Sequence, residues 1–448
     1  MQKAADNPSD KVSKLGVEPR IIPRAEHNIS RDNISPNALK VLYRLKNAGF
    51  QAYMVGGGVR DLLLGREPKD FDVVTDALPE QVRELFRNCR LIGRRFRLAH
   101  VRFGQEIIEV STFRATVNTD DDDDASNVEG RILRDNVYGS VDEDVWRRDF
   151  TVNALLYNIQ DFSIIDYVGG IHDIKTGNLR LIGEPERRYR EDPVRMLRAV
   201  RFSVKLGFRI HEDTARPIPE LAYLLEDIPP ARLFEEFLKL FLSGYAVQTF
   251  EALRHHGLFG YLFPQTEACL ASQEGGFPHT FAIRALENTD QRLAEGKPVT
   301  PAFLIAALLW DPLRQQSEAY IADGMKAQEA QQLAGDDLIS KQVANIALPR
   351  RFTRIAKEIW SLQPRLQNLA GKQSNRVTRL LTHPRFRAAY DFLLLRASAG
   401  EPVDDIAEWW TQQQIDTPVE PAPARSNRGG RRRSRKRRNS DNNDNNDN

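Results

Sequence analysis

Residues 55–65 read VGGGVRDLLLG and residues 69–75 read KDFDVVT, and the fold follows from how these two stretches join. A short apolar run, Ala52–Val55, enters three glycines and passes straight into a helical pattern. Such a turn lets the backbone approach a phosphate, with free N–H groups and the helix dipole aimed at the anion. Arg60 adds a charged fork nearby. No Gly-Lys-Ser/Thr follows, so this is not a P-loop. In KDFDVVT, Asp70 and Asp72 flank Phe71. On a strand, residues two apart project from one face, which sends Phe71 and Val73 the other way, into a core. Two adjacent carboxylates repel unless a hard cation joins them, and Mg²⁺ usually binds one or two carboxylates plus substrate phosphates. A solvated strand edge is the plainer alternative, and the glycine turn about a dozen residues earlier argues against it.

Upstream, Ser35–Pro36 opens a helical pattern with Leu39, Leu42 and Tyr43 at helical spacing and Gly49 where a C-cap glycine belongs. Residues 1–34 are polar and aperiodic and read as a disordered arm. Downstream come a helix, PEQVRELFRNC, and strand-like runs at Leu98–Phe103, Glu106–Thr112, Leu155–Ile159 and Ser163–Val168. Alternation of this kind predicts an α/β head over residues 35–182, a mixed sheet with flanking helices. After Gly183 the pattern is helical to about Trp410. It divides into a neck (183–245) and a body and tail (246–415), followed by an Arg-rich disordered stretch (416–448).

Two-metal phosphoryl transfer calls for a third carboxylate on the same sheet. Glu109 in EIIEVST is one candidate, and Asp149 in WRRDFTVNAL is the other. A helix N-cap before Phe150–Thr151 is the plainer but weaker reading of Asp149. Arg147 and Arg148 just before it would suit triphosphate oxygens. In YREDPVRMLRAVRF, Asp192 and Pro193 form a helix start, and Arg195 lies one turn on. That pair could read a base edge together or simply bond to each other, and pairing is the simpler reading.

Composition excludes several classes. The 448 residues, at roughly 150 per domain, make about three units, and 41% hydrophobic content suffices for real cores. Cys89 and Cys269 cannot make a disulfide framework, and no apolar run approaches 18 residues. A cytoplasmic monomer without a membrane span is expected. The net charge of +2 hides a division: residues 425–448 hold nine basic and three acidic groups, against 55 and 59 in the rest. Eight Arg within 425–438 form an electrostatic footprint for nucleic acid. Six phosphate contacts there would give a log–log salt slope of roughly −4. Asp120–Asp124 reads as a solvated acidic loop.

In this order and spacing, GGGVRDLLLG, KDFDVVT, RRDFTVNAL and EDPVRMLRAVRF resemble the class II nucleotidyltransferases of the DNA polymerase β superfamily, which contain CCA-adding enzymes and bacterial poly(A) polymerases. The likeness covers about residues 35–245 and implies a palm-like head, a helical neck, and helical body and tail domains. LIGRRFRLAHV (91–101) is similar to the signature that separates poly(A) polymerases from CCA-adding enzymes, and the likeness continues through IPPARLFEE, HPRFRAAYDFLLLRA and the Arg-rich extension. The resemblance makes Asp70 and Asp72 metal ligands for two Mg²⁺ ions, with Mn²⁺ a substitute. It favours Asp149 over Glu109 as the third catalytic acid. It assigns Gly56, Gly57 and Arg60 to the triphosphate, and Asp192 and Arg195 to the incoming base, with Arg147, Arg198 and Arg201 nearby. The implied activity is AMP transfer from ATP to RNA 3′ ends, linked to RNA-decay machinery. A CCA-adding enzyme is the rival sharing these motifs. A non-catalytic RNA-binding regulator would not need Asp70, Asp72 and Asp149 together. A phosphohydrolase would need a His/Asp cluster, and His172–Asp173 is a lone pair in an expected hairpin.

Overall fold

A computed structural model of the chain describes residues 17–93, 97–115, 126–127, 131–132, 138–272 and 280–416. The acidic run Asp120–Asp124, part of the LIGRRFRLAHV stretch, the first 16 residues and the arginine tail lie outside the described residues.

Eight short strands make one mixed sheet. They are β1 (Arg20–Ile22), β2 (Ala52–Val55), β3 (Asp72–Thr75), β4 (Cys89–Ile92), β5 (Leu98–Phe103), β6 (Glu106–Thr112), β7 (Leu156–Asn158) and β8 (Ile164–Asp166), in the order β1-β8-β7-β2-β3-β6-β5-β4. Only the pairing of β3 with β6 is parallel; the other pairings in this sheet are antiparallel. Alternation along each strand then sorts side chains by face. Met54, Val73, Ile108 and Val110 pack beneath α1 (Pro36–Asn47), whose Val41, Leu42 and Leu45 are fully buried. Val55, Val74 and Leu156 pack on the opposite face with Phe113 and Val145. Ser35 caps α1 by accepting from the Asn37 amide at 3.1 Å, and Gly49 beyond its end takes φ +90°.

The mixed-sheet head and helical remainder match the expected fold class. The amino-terminal arm does not match its expectation. Residues from Arg20 are built into the sheet, with β1 pairing β8, and Ile22, Ile29 and Ile34 are buried. Three isoleucines spaced through a polar stretch carry no period, so their burial is a tertiary effect. His172–Asp173 also falls elsewhere, on the helix Gly170–Thr176 and not in a hairpin.

Helices follow the sheet. α2 (Gly57–Leu63) springs from the glycine turn, α3 (Pro79–Leu85) packs on the α1 face, and α4 (Val141–Trp146) precedes Asp149. The neck contains α5 (Pro185–Glu191), α6 (Val194–Leu206) and α7 (Pro230–Phe241). Its core is continuous with the body: Leu197 and Phe237 belong to one apolar cluster with Phe263, Ile305 and Trp360. The expected neck–body division at residue 245 therefore has no counterpart in the packing. A separate core, with Leu366, Tyr390 and Trp410, closes the tail. Among the described residues no helix is long and apolar enough to cross a membrane.

Candidate active site at the head–neck cleft

The glycine turn and the acidic pair meet because β2 and β3 run antiparallel, with Val55 opposite Asp72. Gly56 adopts φ 77° and ψ −143°, where side chains are strained. A Cβ on Gly56 would lie 3.7 Å from the Asp72 Oδ2, and one on Gly58 would lie 3.3 Å from the Asp70 carbonyl. The turn thus lies in contact with the Asp72 carboxylate, and Gly58 lets its backbone approach that of Asp70 closely. Asp72 starts β3, whereas Asp70 precedes the strand and is exposed, so strand alternation does not fix its direction.

Asp72 is paired in register with Glu109 of β6. The Asp72 carboxyl is pushed up to about 6, first by burial and then by the charges of Glu109 and Asp70, with Arg148 opposing. Glu109 in turn lies 3.1 Å from His100 Nε2 across the β5–β6 pairing. No group of three His, Cys, Asp or Glu among the described residues is arranged to hold a metal ion by itself. The crowded carboxylates of Asp72, Glu109 and Asp70 are oxygen donors of the kind a hard divalent cation takes.

Beside the acidic pair opens a cleft of about 390 Å³ with six cations and four carboxylates in its walls. The buried Asp144 on α4 organises one side: Arg147 Nε donates to its Oδ1 at 2.9 Å and Arg148 Nη2 to its Oδ2 at 2.8 Å. Burial pushes the Asp144 carboxyl up, but the Arg148 and Arg147 charges outweigh that and hold it below its usual range. The α6 helix supplies the other side. Arg198 Nε donates to Asp149 Oδ2 at 2.8 Å, and Nη2 reinforces it. Asp149 Oδ1 accepts from the Phe150 amide at 2.8 Å and from Asn153 at 3.3 Å. Burial raises this carboxyl too, and Arg198 more than reverses the effect.

The expected site residues thus separate into two groups. Gly56, Asp70 and Asp72 cluster with Glu109, whereas Arg147, Asp149, Asp192, Arg195 and Arg198 line the cleft. Arg60 is buried, bonded to Asp61 and to Asn153, and its Nη2 would lie 3.3 Å from a Cβ on Gly57. Its guanidinium thus packs close against the turn at Gly57. Arg201 sits 3.1 Å from the buried Glu236 and does not line the cleft. Asp192 and Arg195 do not pair with each other, against the simpler reading. Asp192 Oδ2 accepts from Arg232 of α7 at 2.6 Å, and Arg195 donates to the Arg188 carbonyl and to Glu191. Asp192 Oδ1 accepts from the Val194 amide, the N-cap contact that Asp-Pro implied. Arg232, Glu235, Glu236 and Lys239, all on α7, were not legible as site residues. In sequence they are the polar stripe of an amphipathic helix.

Comparison with known proteins now decides the family. The Poly A polymerase head domain matches residues 52–180, the probable RNA and SrmB-binding site of polymerase A matches 207–270, and the polymerase A arginine-rich C-terminus matches 323–443. Poly(A) polymerase I of Escherichia coli O157:H7 is 50% identical over 431 residues, 92% of each chain. The chain belongs to the poly(A) polymerase family. Within the wider nucleotidyltransferase group the likeness is shorter: a CCA-adding enzyme of Lactobacillus helveticus is 40% identical over 214 residues, 48% of this chain and 52% of that one. Among solved structures, the Bacillus stearothermophilus CCA-adding enzyme in complex with CTP aligns with a TM-score of 0.56 at 28% identity, covering 85% of this chain and 82% of that one. The poly(A) polymerase likeness thus spans nearly the whole chain, with its arginine-rich C-terminal model reaching residue 443, whereas the CCA-adding likeness in sequence covers about half of it.

Proposed function

We propose that this chain is a template-independent polynucleotide adenylyltransferase that adds AMP from ATP to RNA 3′ ends. The observation that carries this reading is the 50% identity to poly(A) polymerase I over 92% of both chains, beside a match of residues 323–443 to the polymerase A arginine-rich C-terminus. The sequence likeness to the Lactobacillus helveticus CCA-adding enzyme covers only 48% of this chain. A non-catalytic regulator would not need Asp72 crowded by Asp70 and Glu109, an arrangement unfavourable unless a cation enters it.

Two Mg²⁺ ions, or Mn²⁺ in their place, would be held by Asp70 and Asp72 and would supply activation of the RNA 3′-hydroxyl and charge neutralisation at the leaving pyrophosphate. Glu109, in register with Asp72 on the neighbouring strand, suits the third carboxylate better than Asp149, which Arg198 of the neck holds at the cleft wall. The chain's own part is positioning and electrostatics. The Gly56–Gly57 turn offers amides at the start of α2 to the triphosphate, and Arg60 keeps that turn in place. Arg147 and Arg148, fixed by Asp144, present positive charge beside the carboxylates. Asp192 accepts a hydrogen bond from the exocyclic amine of the base, and Arg195 donates to the neighbouring ring nitrogen. The same reading places the enzyme in the cytoplasm as a monomer, supplying tailed RNA to decay machinery.

Incubation with an oligo(A)-ended RNA, Mg²⁺ and each nucleotide in turn tests it. A long ladder from ATP alone is expected. Addition that stops after two or three nucleotides on tRNA-like ends would place the chain with the CCA-adding enzymes instead.

A further inference from the structure

The cleft does not end at its own walls. Its α7 side is joined to a long helix of the body, α8 (Arg350–Leu369). The Ala347 amide, three residues before Arg350, donates to the Pro230 carbonyl, two residues before Arg232, at 3.1 Å. Phe352 in the first turn of α8 lies against Phe234 of α7, ring centroids 6.1 Å apart. The beginning of α8 is therefore fixed beside the turn of α7 that carries Arg232, one of the cleft's six cations.

That beginning is chemically unusual. Arg350 and Arg351 occupy the first turn, where no acidic residue stands and positive charge opposes the helix dipole. Both side chains are exposed, and neither guanidinium has an acidic partner among the described residues. Arg354, one turn on, is 72% exposed and only loosely paired with Glu358 at 3.7 Å. Helix formation gains nothing from these arginines; Arg351 stacks over the Phe352 ring at 4.7 Å, which leaves its charge at the surface, and Arg350 has no such contact among the described residues. A polyanion passing over them would gain from all of them.

We propose that Arg350 and Arg351 form a landing for the phosphates of the RNA strand whose 3′ end enters the head–neck cleft, with Arg232 linking landing and cleft. This rests on the adenylyltransferase reading for the direction of the strand. The ligand class is single-stranded RNA held through its backbone, without base selection, because exposed arginines on a helix surface offer charge and no enclosed edge. An acidic protein segment would need a pocket or staple to hold register, whereas exposed arginines alone suffice for a nucleic-acid backbone.

Fluorescence anisotropy with a labelled oligo(A) RNA, on the full chain and on R350Q/R351Q, tests the landing. The arginine tail is present in both proteins, so the difference isolates these two residues. The variant should bind on the order of tenfold more weakly, with a log–log salt slope shallower by about 1.4, at ~0.7 per phosphate contact for single strands. Its melting temperature should stay level or rise, since two charges opposing the dipole are gone. R350K/R351K should restore the slope. Equal affinity and slope in the folded glutamine variant would overturn the proposal, even with AMP addition intact. If the wild type shows the steep slope and loses it in the variant but adds no AMP, the landing stands and the enzymatic reading falls.

Discussion

Arg198 on the neck helix grips Asp149 at the edge of the head, its Nε 2.8 Å from Oδ2, while Asp149 Oδ1 holds the Phe150 amide. One carboxylate thus ties the two walls of the cleft together, and this gives it a different character from Glu109 in the sheet. Asp149→Asn should raise the KM for ATP and lower thermal stability, with the Mg²⁺ dependence little altered. Glu109→Gln should instead lower kcat by at least tenfold and demand more Mg²⁺, with stability little changed. Removing one partner of a buried pair costs about 3–5 kcal/mol, and with Arg198 30% exposed the lower end applies to Arg198→Ala. Steady-state kinetics across a Mg²⁺ titration, with melting curves, separates the two carboxylates. A steeper Mg²⁺ requirement in Asp149→Asn than in Glu109→Gln would exchange their roles.

Much of this was legible in the residues. The strands at Leu98–Phe103 and Glu106–Thr112 coincide with β5 and β6, because alternation over six or seven residues is a strong local signal. The glycine turn and Asp72 were legible because they are close in sequence and lie on neighbouring strands of the sheet. What failed was non-local. Ile22, Ile29 and Ile34 are buried by packing that no period announces. The partner of Asp192 is Arg232, forty residues away on a helix whose amphipathic stripe looks like ordinary surface. Arg60 reads as a phosphate ligand beside a glycine turn, yet Asn153, brought in from across the head, takes its guanidinium inward.

The crowding of Asp72 gives a second prediction. With its carboxyl raised to about 6 by burial, Glu109 and Asp70, the ionised side chain disfavours the metal-free fold at neutral pH. Asp72→Asn should raise the melting temperature of Mg²⁺-free protein by a few degrees while abolishing AMP addition. The gain should be full above about pH 6 and fade as the pH falls toward 3.8, where Asp72 is protonated in folded and unfolded chains alike. Calorimetric scans of both proteins at pH 4.5 and pH 7.5 in EDTA check it. A variant less stable than wild type at the higher pH would remove the crowding argument.

Arg232 fixes Asp192 as an acceptor by occupying Oδ2, while the Val194 amide engages Oδ1. A carboxylate held that way favours bases presenting an amine and disfavours bases presenting a carbonyl. Arg232→Gln frees the carboxylate to rotate. The KM for ATP should rise roughly tenfold, the size of one lost charge-assisted hydrogen bond, and discrimination against GTP and UTP should weaken. Arg232→Lys should recover part of both. Competition assays with mixed nucleotides read the ratio directly, and unchanged ratios in the glutamine variant would show that Asp192 is oriented without Arg232.

The glycine turn supplies a prediction with an internal control. Gly56→Ala must accept φ 77° with ψ −143°, a strain of about 1–3 kcal/mol, and must also place a methyl group 3.7 Å from Asp72 Oδ2. Gly49→Ala imposes a positive φ of 90° with nothing within 4 Å of the added carbon. Both variants should melt earlier than wild type. Only Gly56→Ala should lose activity beyond its loss of folded protein, by at least tenfold in kcat/KM, because its methyl group intrudes where triphosphate and carboxylates must meet. Assays normalised to folded protein distinguish strain from obstruction. Equal specific activity in the two alanine variants would mean that the turn serves the fold alone and that the triphosphate is held elsewhere in the cleft.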